Sequence, residues 1–518
     1  MKKKLIAFVL LAAMVLGTVA CGNNNQQPSQ SAPASSGESK ESSQAASSSE
    51  AEKPAEPTHI TIWANTHMAA GQADEKAVIA AMNEYTKEKI NVTFDYEIVN
   101  LSEKLQLELA TTDNVDMWWG SAAGDHTSLV RGNAVLDITD MLDNYPTLKE
   151  SMPQIVWDSV KYDGRIYCAP VMKESFAGST YIIPVEVANK VKAEKGIDIT
   201  AIMKEIKTVR DMDKLTEYLQ AVKDVTGTEM AVVKQQTFAT LMNQDPIYAM
   251  VQSGVVLDTT TGKMIDVYAS QEYADYVAME YDWNKRGFYS SEWAVGSLAG
   301  GLMNPYRKGE KPYGMTNWAT TPDNANNAFT RYGVEVYALE IGERTTTSTS
   351  MLGSYYAISA KTKKADACMK FIELLLTDPY LADLYTFGIE GKHFTYNADG
   401  SVHQIPDSGW SNSIWTCTSL FTASVLETED PAKKQIYEDE NAQAVASPIL
   451  GFRLDTTNVA AEVAALSSVQ SEYERLLEYG FYDPAEYLPK FIAARKAAGV
   501  DKVIAEIQTQ YDAWLKTK

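Results

Sequence analysis

The chain has 518 residues, with 46 Lys or Arg against 68 Asp or Glu and a formal net charge of −22. Such an acidic surface repels nucleic acid and anionic lipid headgroups, so neither is expected as a partner. The four cysteines and five histidines show no zinc-site spacing. Because cysteines are so few, we expect the fold to be stabilised by its hydrophobic core and not by disulfides. We also expect no metal or other cofactor.

The first twenty residues have the pattern of an export signal. Three lysines at positions 2–4 precede an uncharged apolar run at 5–16, and small residues then lead to Cys21. The apolar run is shorter than the roughly 20 residues that a membrane-spanning helix needs. Without the signal (residues 1–20), the chain keeps 43 basic and 68 acidic residues, a net charge of −25.

The end of this signal resembles the lipobox of bacterial lipoproteins. It reads Thr18-Val19-Ala20-Cys21, with threonine where leucine is usual. The resemblance implies cleavage before Cys21 and a lipid on that cysteine, whereas the alternative is an ordinary secreted protein that begins near Cys21. Residues 22–57 contain no aromatic side chain. Such a segment cannot bury enough apolar surface to fold, so we expect a disordered tether at 21–57 that follows the lipid.

Strand and helix patterns alternate from Thr58 onward, and this order is typical of an α/β fold. The remaining 460 or so residues exceed the size of a single core, which predicts two or more lobes. The last 90 or so residues are predicted to be largely helical, with Asp501 as a helix N-cap. The patterns predict strands at 60–63, 91–99, 115–119, 166–169, 179–183, 333–339 and 353–359, and helices at 73–88, 105–112, 185–195, 208–225, 271–285, 365–376 and 379–386.

Several short motifs then support a family resemblance. They are ITIW at 60–63, VDMWW at 115–119, DGRIYCAP at 163–170 and YAIS at 356–359, with GIEGKHF at 388–394, SPILGF at 447–452 and DPAEYLPKF at 483–491 nearer the end. In their order and spacing, the chain resembles the family-1 extracellular solute-binding proteins of ABC importers. The last three motifs resemble the large LplA-like lipoproteins of that family.

The resemblance implies a two-lobed, periplasmic-binding-protein-like fold of type II, with a hinge and a ligand cleft between the lobes. Lobe one is expected at 58–173 plus 338–387, and lobe two at 178–337 plus 390–518. Lobe closure around a ligand would be a hinge motion. The implied partners are a small-molecule ligand and a membrane permease. The permease and its ATPase are expected to be separate chains, because this sequence shows neither membrane spans nor a nucleotide-binding loop. We expect a monomer.

Candidate ligand contacts follow from the rule that ligands bind at the carboxyl ends of strands in α/β sheets. This rule selects Asn65, His67, Trp119, Asp125 and Lys173, which end or follow predicted strands. The resemblance adds Glu174, where sugar-binding relatives often carry a carboxylate, and Trp318, where they often place a stacking aromatic. Further aromatic candidates are Tyr355, Trp410 and Trp415.

These residue types suit a sugar. Flat aromatic rings cover the apolar faces of a pyranose, while carboxylates, amides and lysine bind its hydroxyl groups. Each candidate also has a structural alternative. Trp63 lies within a strand and is expected in the core, and alternation should bury one of Trp118 and Trp119 and expose the other, for which we choose Trp119.

The sequence therefore predicts an extracellular, lipid-anchored binding protein that captures an oligosaccharide for an ABC importer and is not an enzyme. Three alternatives stay open: a surface glycoside hydrolase, a ligand sensor for a membrane receptor kinase, and a peptide-binding importer component. Two turns at 258–262 and 397–400 contain some residues of a calcium loop, but they lack its final glutamate and are predicted to be hairpin turns.

Overall fold

The computed structural model of the protein describes residues 56–65, 71–99, 105, 107–109, 111–121, 123–228, 230–233, 238, 253–289, 314–319, 334–412 and 418–518. The predicted export signal, Cys21 and the tether up to residue 55 lie outside the described residues. Within these ranges, no helix has both the length and the apolar character needed to cross a membrane.

Sixteen strands are found in the described residues. They are β1 (Thr58–Asn65), β2 (Val92–Val99), β3 (Met117–Gly120), β4 (Lys161–Tyr162), β5 (Arg165–Ile166), β6 (Ala169–Pro170), β7 (Ala177–Pro184), β8 (Val232–Val233), β9 (Val255–Asp258), β10 (Lys263–Asp266), β11 (Met315–Ala319), β12 (Val336–Thr346), β13 (Tyr355–Ile358), β14 (Phe394–Tyr396), β15 (Val402–Gln404) and β16 (Val445–Ala446).

The helices alternate with these strands and dominate the final part of the chain. The α-helices span Glu75–Ile90, Ala123–Arg131, Pro146–Glu150, Gln154–Ser159, Val185–Lys195, Ile199–Met203, Thr216–Thr226, Gln271–Lys285, Ser348–Met351, Ala365–Thr377, Pro379–Phe387, Lys433–Ala442, Ala460–Glu478, Pro484–Ala497 and Val500–Leu515, and 3₁₀ helices span Leu142–Asn144, Val209–Leu215, Val267–Ala269 and Thr457–Val459.

Two five-stranded sheets organise the fold. The first has the order β2-β1-β3-β13-β6, and the second has the order β16-β12-β7-β11-β8. In the first sheet β1 runs parallel to β2 and β3, whereas β13 is antiparallel to both β3 and β6. In the second sheet β7 is antiparallel to its neighbours β12 and β11. Two open sheets with covering helices confirm the predicted α/β class.

Each sheet has its own hydrophobic core. The first core gathers strand residues such as Ile60 and Met117 with helix residues such as Leu375. A second core collects around Tyr181 and Tyr218, and a third joins the β9–β10 hairpin to the Val500–Leu515 helix. Trp63 is only 6% exposed, so its predicted core position is confirmed.

Several predicted helix boundaries agree with the structure because strong local signals set them. The Val185–Lys195 helix ends at Gly196, whose φ of 71° allows the left-handed turn that closes a helix. The Ala365–Thr377 and Pro379–Phe387 helices are separated by Asp378, whose side chain accepts a hydrogen bond from the backbone N–H of Leu381. The two turns with partial calcium-loop patterns are hairpin turns, as predicted.

Other details differ from the sequence predictions. Asp501 is not an N-cap, because its helix already starts at Val500 after Gly499, and the carboxylate therefore lies in the first turn. The predicted 166–169 strand is two separate short strands, β5 and β6, that belong to different sheets. The expected lobe boundary at residue 338 falls within β12, which pairs with β7 in the second sheet.

Candidate functional site

The ends of several strands lie in one row across the first sheet. Gly120 ends β3 and lies opposite Tyr355, the first residue of β13, and Tyr355 in turn lies opposite Pro170 at the end of β6. Since Trp63 pairs with Trp118, the same register brings Asn65 at the end of β1 level with Gly120. We call this row the carboxyl edge. It is the location at which α/β sheets commonly bind ligands.

Two crossing segments leave this edge for the second sheet. Residues 171–176 connect β6 to β7, and residues 347–354 connect β12 to β13. The two segments run side by side: the backbone N–H of Val171 donates to the carbonyl of Ser354 at 2.9 Å. Both sheets are therefore joined directly beside the carboxyl edge, which is where a hinge between two sheets would have to lie.

The first crossing segment carries two charged side chains at this position. Lys173 is only 7% exposed, and Glu174 is partly buried. Burial lowers the pKa of Lys173 and raises the pKa of Glu174, and in each case the opposite charge of the neighbour works against the shift. Because the cost of removing charge from water exceeds the mutual attraction, burial disfavours the charged form of each group.

Aromatic side chains pack tightly behind these charges. The indole N–H of Trp119 donates to the Ser354 hydroxyl at 2.8 Å, and both residues are fully buried. The ring of Tyr355 lies over Gly120, where any side chain would collide with it. These contacts make the edge rigid, because each ring is fixed by both packing and backbone geometry.

The expected exposure of one of the two neighbouring tryptophans is wrong. Trp118 and Trp119 are both completely buried. Alternation along a strand exposes one face only when that face meets solvent, and the first sheet is covered on both faces. The Trp119 ring therefore supports the site from behind and does not reach solvent.

A side chain from the far end of the sequence holds the first crossing segment in place. The amide of Asn441 donates to the carbonyl of Lys173 at 3.0 Å and accepts from the N–H of Ser175 at 2.8 Å. The N–H of Leu420 also donates to the carbonyl of Met172 at 2.9 Å. The backbone on both sides of Glu174 is thus fixed by residues that are more than 240 positions away, and the sequence carried no signal for this contact.

A buried histidine beside the edge was also missed. His126 is 2% exposed, and its ring packs against Tyr355 with 4.7 Å between ring centroids. Neither ring nitrogen has a hydrogen-bond partner among the described residues. Burial lowers the pKa of His126 to about 3, so the imidazole is neutral at physiological pH.

The remaining predicted site residues lie in different places. Asn65, Asp125 and Trp318 belong to β1, the Ala123–Arg131 helix and β11, but their side chains are outside the described residues, as are His67 and Trp415 entirely. Trp410 is 6% exposed, belongs to the first core, and donates its indole N–H to the carbonyl of Tyr385 at 3.2 Å. The structure therefore places Lys173 and Glu174 next to the carboxyl edge. Tyr355, like Trp119, is buried behind them at 2% exposure, so the prediction that its ring faces a ligand is wrong.

Comparisons with known proteins agree with this architecture. A curated relative from Streptococcus pneumoniae serotype 4, named carbohydrate ABC transporter substrate-binding protein, is 20% identical over 456 residues, which cover 85% of this chain and 88% of the relative. The crystal structure of the N-glycan transport solute binding protein NgtS from S. pneumoniae aligns with a TM-score of 0.75 at 17% identity, over 89% of this chain and 99% of that one.

A second solved structure has the same fold at greater distance. It is an EF-hand mutant of the S. pneumoniae ABC-transporter substrate-binding protein FusA in complex with fructo-nystose, with a TM-score of 0.53 and 14% identity over 89% of this chain and all of the other. Residues 448–516 match a domain of unknown function. The profile of the bacterial extracellular solute-binding proteins matches residues 65–382, more than half of the chain. This protein therefore belongs to the bacterial extracellular solute-binding protein family.

Proposed function

We propose that this protein captures an oligosaccharide outside the cytoplasm and delivers it to the membrane permease of an ABC importer. The observation that carries the proposal is the pair formed by buried Lys173 and partly buried Glu174, on the crossing segment that leaves the carboxyl edge. A sugar supplies hydroxyl groups that can form hydrogen bonds with both charged groups.

The relatives support a carbohydrate ligand. The curated relative is named for carbohydrate transport, and a second structure of NgtS holds Man1GlcNAc. In our proposal the ligand contacts are Lys173 and Glu174, together with the predicted side chains Asn65, His67, Asp125, Trp318 and Trp415. The protein binds its ligand without converting it, acts as a monomer, and is anchored to the membrane by a lipid on Cys21.

A thermal-shift screen of glycans and peptides tests the proposal. A ligand that binds only the folded state raises the melting temperature, by an amount that grows with the ratio of its concentration to its Kd. We expect at least one oligosaccharide to raise the melting temperature and no peptide to do so. The matched variant Glu174→Gln should show a smaller shift with the same glycan.

Two outcomes would overturn the proposal. If only peptides stabilised the protein, the ligand class would be wrong. Steady release of smaller sugars from a stabilising glycan, followed by chromatography, would show a hydrolase, whose paired carboxyl groups typically lie about 5–10 Å apart.

A further inference from the structure

Residues 451–455 run between the first and the third hydrophobic cores, and we call them the strap. They lie near the start of the 448–516 stretch that matches a domain of unknown function. We propose that the strap ties this stretch to the side of the first core and so limits how far the two sheets can move about the crossing segments. The strap acts in this way whichever ligand the protein binds.

The side chains of the strap alternate between the two cores. Phe452 and Leu454 are buried in the third core, to which the Val500–Leu515 helix also contributes. The Phe452 ring packs against two aromatic rings of that helix, with centroid distances of 5.8 and 5.6 Å. Successive side chains of an extended chain point to opposite sides. Arg453 and Asp455 accordingly face away from the third core.

Arg453 and Asp455 both contact the first core. The Arg453 guanidinium donates to the carbonyl of Ser159 at 2.6 Å. The Asp455 carboxylate lies 3.1 Å from the guanidinium of Arg131. Ser159 and Arg131 are the last residues of two helices whose buried side chains belong to the first core. The strap therefore joins two cores that are otherwise built from different parts of the chain.

The start of the strap is fixed to a crossing segment. The N–H of Gly451 donates to the hydroxyl of Ser348, which lies in the 347–354 crossing segment, at 2.8 Å. Just before the strap, the N–H of Ser447 donates to the carbonyl of Thr346 at 2.9 Å. Gly451 has a φ of 85°, which glycine adopts without strain. The strap thus begins at a crossing segment and reaches from there to the first core.

The charge of Arg453 acts within the first core beside the candidate site. Burial, and to a smaller extent Arg453, lower the pKa of His126 to about 3. Burial raises the pKa of the Cys168 thiol, and the charge of Arg453 works against that shift. Because such effects weaken with distance, the guanidinium lies close to both residues. Since His126 packs against Tyr355, the strap reaches the back of the carboxyl edge.

Hydrogen–deuterium exchange of the ligand-free full chain, followed by mass spectrometry, tests the strap. Amide exchange reports how often a local hydrogen bond opens. The crossing segments contain suitable amides, because the N–H of Val171 donates to the carbonyl of Ser354 and the N–H of Ser175 donates to the side chain of Asn441. Greater freedom of the two sheets should open these hydrogen bonds more often.

The test variant combines Arg131→Met and Arg453→Met. These changes remove both charged contacts of the strap and keep an unbranched apolar stem in each side chain. The matched control is Arg165→Met. Arg165 pairs with Asp140 at 2.8 Å, and both residues belong to the 58–173 stretch, so this ion pair does not join two cores.

In the double variant we expect the amides of both crossing segments to exchange about tenfold faster than in the wild type, because two charged contacts are lost. Each single variant should show a smaller increase in the same segments. The amides of the Val500–Leu515 helix should keep their wild-type rates, and so should the crossing segments of the control. Combining Arg131→Lys and Arg453→Lys keeps both charges and should stay within about twofold of the wild type.

Two results would overturn the strap. The first is unchanged exchange in the crossing segments of the Met variants. The second is equally faster exchange in the Val500–Leu515 helix, which would show that the two arginines only stabilise the fold. If the double variant did not fold, the single variants would be judged by the same two criteria. The thermal-shift screen tests the proposed function separately, so either one can fail alone.

Discussion

At the scale of single residues, Lys173 and Glu174 are charged groups that burial destabilises and that we propose as ligand contacts. Burial raises the pKa of Glu174, although Lys173 and Lys433 both favour its charged form. A raised pKa means that the folded protein holds the proton more tightly than the unfolded chain does. The stability that this group contributes is therefore complete below the unfolded pKa of about 4.3 and is lost as the pH rises through the raised folded value.

Glu174→Gln should consequently make the free protein more stable and the binding weaker. At a pH above the raised pKa of Glu174, the neutral amide avoids the burial of a charge, so the melting temperature of the free protein should rise. The affinity for the glycan that binds should fall about tenfold, because the bond to a charged acceptor becomes a bond to a neutral one. Thermal unfolding and titration calorimetry from pH 4 to pH 8 measure both effects.

The pH profile separates this explanation from a general loss of structure. Wild-type affinity should weaken as the pH falls through the raised pKa of Glu174, whereas the Gln variant should have a flat profile. Glu88→Gln is the control, since the Glu88 side chain is 76% exposed. An unchanged pH profile in the Glu174 variant would contradict a role of this carboxylate in binding.

At the scale of secondary-structure elements, the hinge region depends on contacts between distant parts of the chain. The Lys433–Ala442 helix supplies Asn441, which clamps the first crossing segment, and Glu440, which lies 3.1 Å from Arg344 of β12. The guanidinium of Arg344 in turn lies over the ring of Phe176, 5.2 Å from its centroid. One helix thus contacts the crossing segment and β12 next to the place where the two sheets are joined.

Asn441→Ala should loosen this junction. Two hydrogen bonds to the crossing segment are lost, which should lower the free energy of unfolding by about 1 to 3 kcal/mol. Ligand affinity should also fall, because Glu174 is no longer held in one position. Urea unfolding monitored by circular dichroism gives the stability, and calorimetry gives the affinity.

Gln443→Ala provides the matched control at the end of the same helix, where the side chain is exposed. It should leave both stability and affinity within experimental error of the wild type. If Asn441→Ala lost stability but kept the wild-type affinity, the clamp would be purely structural. If it behaved like the control in both measurements, the clamp would have no energetic role.

Single elements were predictable to the extent that local signals define them. The Val185–Lys195 and Gln271–Lys285 helices agree with their predicted bounds. Their apolar periodicity and their terminal residues both lie within one short stretch of sequence, so a local pattern is enough to predict them. The strand predicted at 166–169 is wrong as one element, because its two halves pair with different partners. Strand pairing depends on residues far away in sequence, which no local window contains.

At the scale of the whole molecule, the proposed lipid on Cys21 would confine the binding domain close to its permease. A tether of residues 22–57 would let the domain turn and approach the transporter, and confinement raises its effective concentration there. A diacyl modification supplies two chains, which is sufficient for stable anchoring.

Cys21→Ser should therefore release the protein from the membrane fraction of expressing cells. Ligand affinity of the released protein should equal that of the wild type, because Cys21 is not among the proposed ligand contacts. Fractionation with immunoblotting measures the distribution, and Ser29→Ala in the same tether serves as the control. Retention of the Ser variant in the membrane fraction would contradict the lipid anchor.

The sequence by itself determined the class of fold, the family and the two charged residues at the candidate site, because each is encoded by a local pattern or by an ordered set of motifs. Only the tertiary structure decided that Trp119 is buried, that Asn441 holds the backbone beside Glu174, and that Arg453 donates to the carbonyl of Ser159. These three facts arise when segments separated by hundreds of residues pack together. Burial and hydrogen bonding between such segments depend on the complete fold, and no pattern within a single segment specifies them.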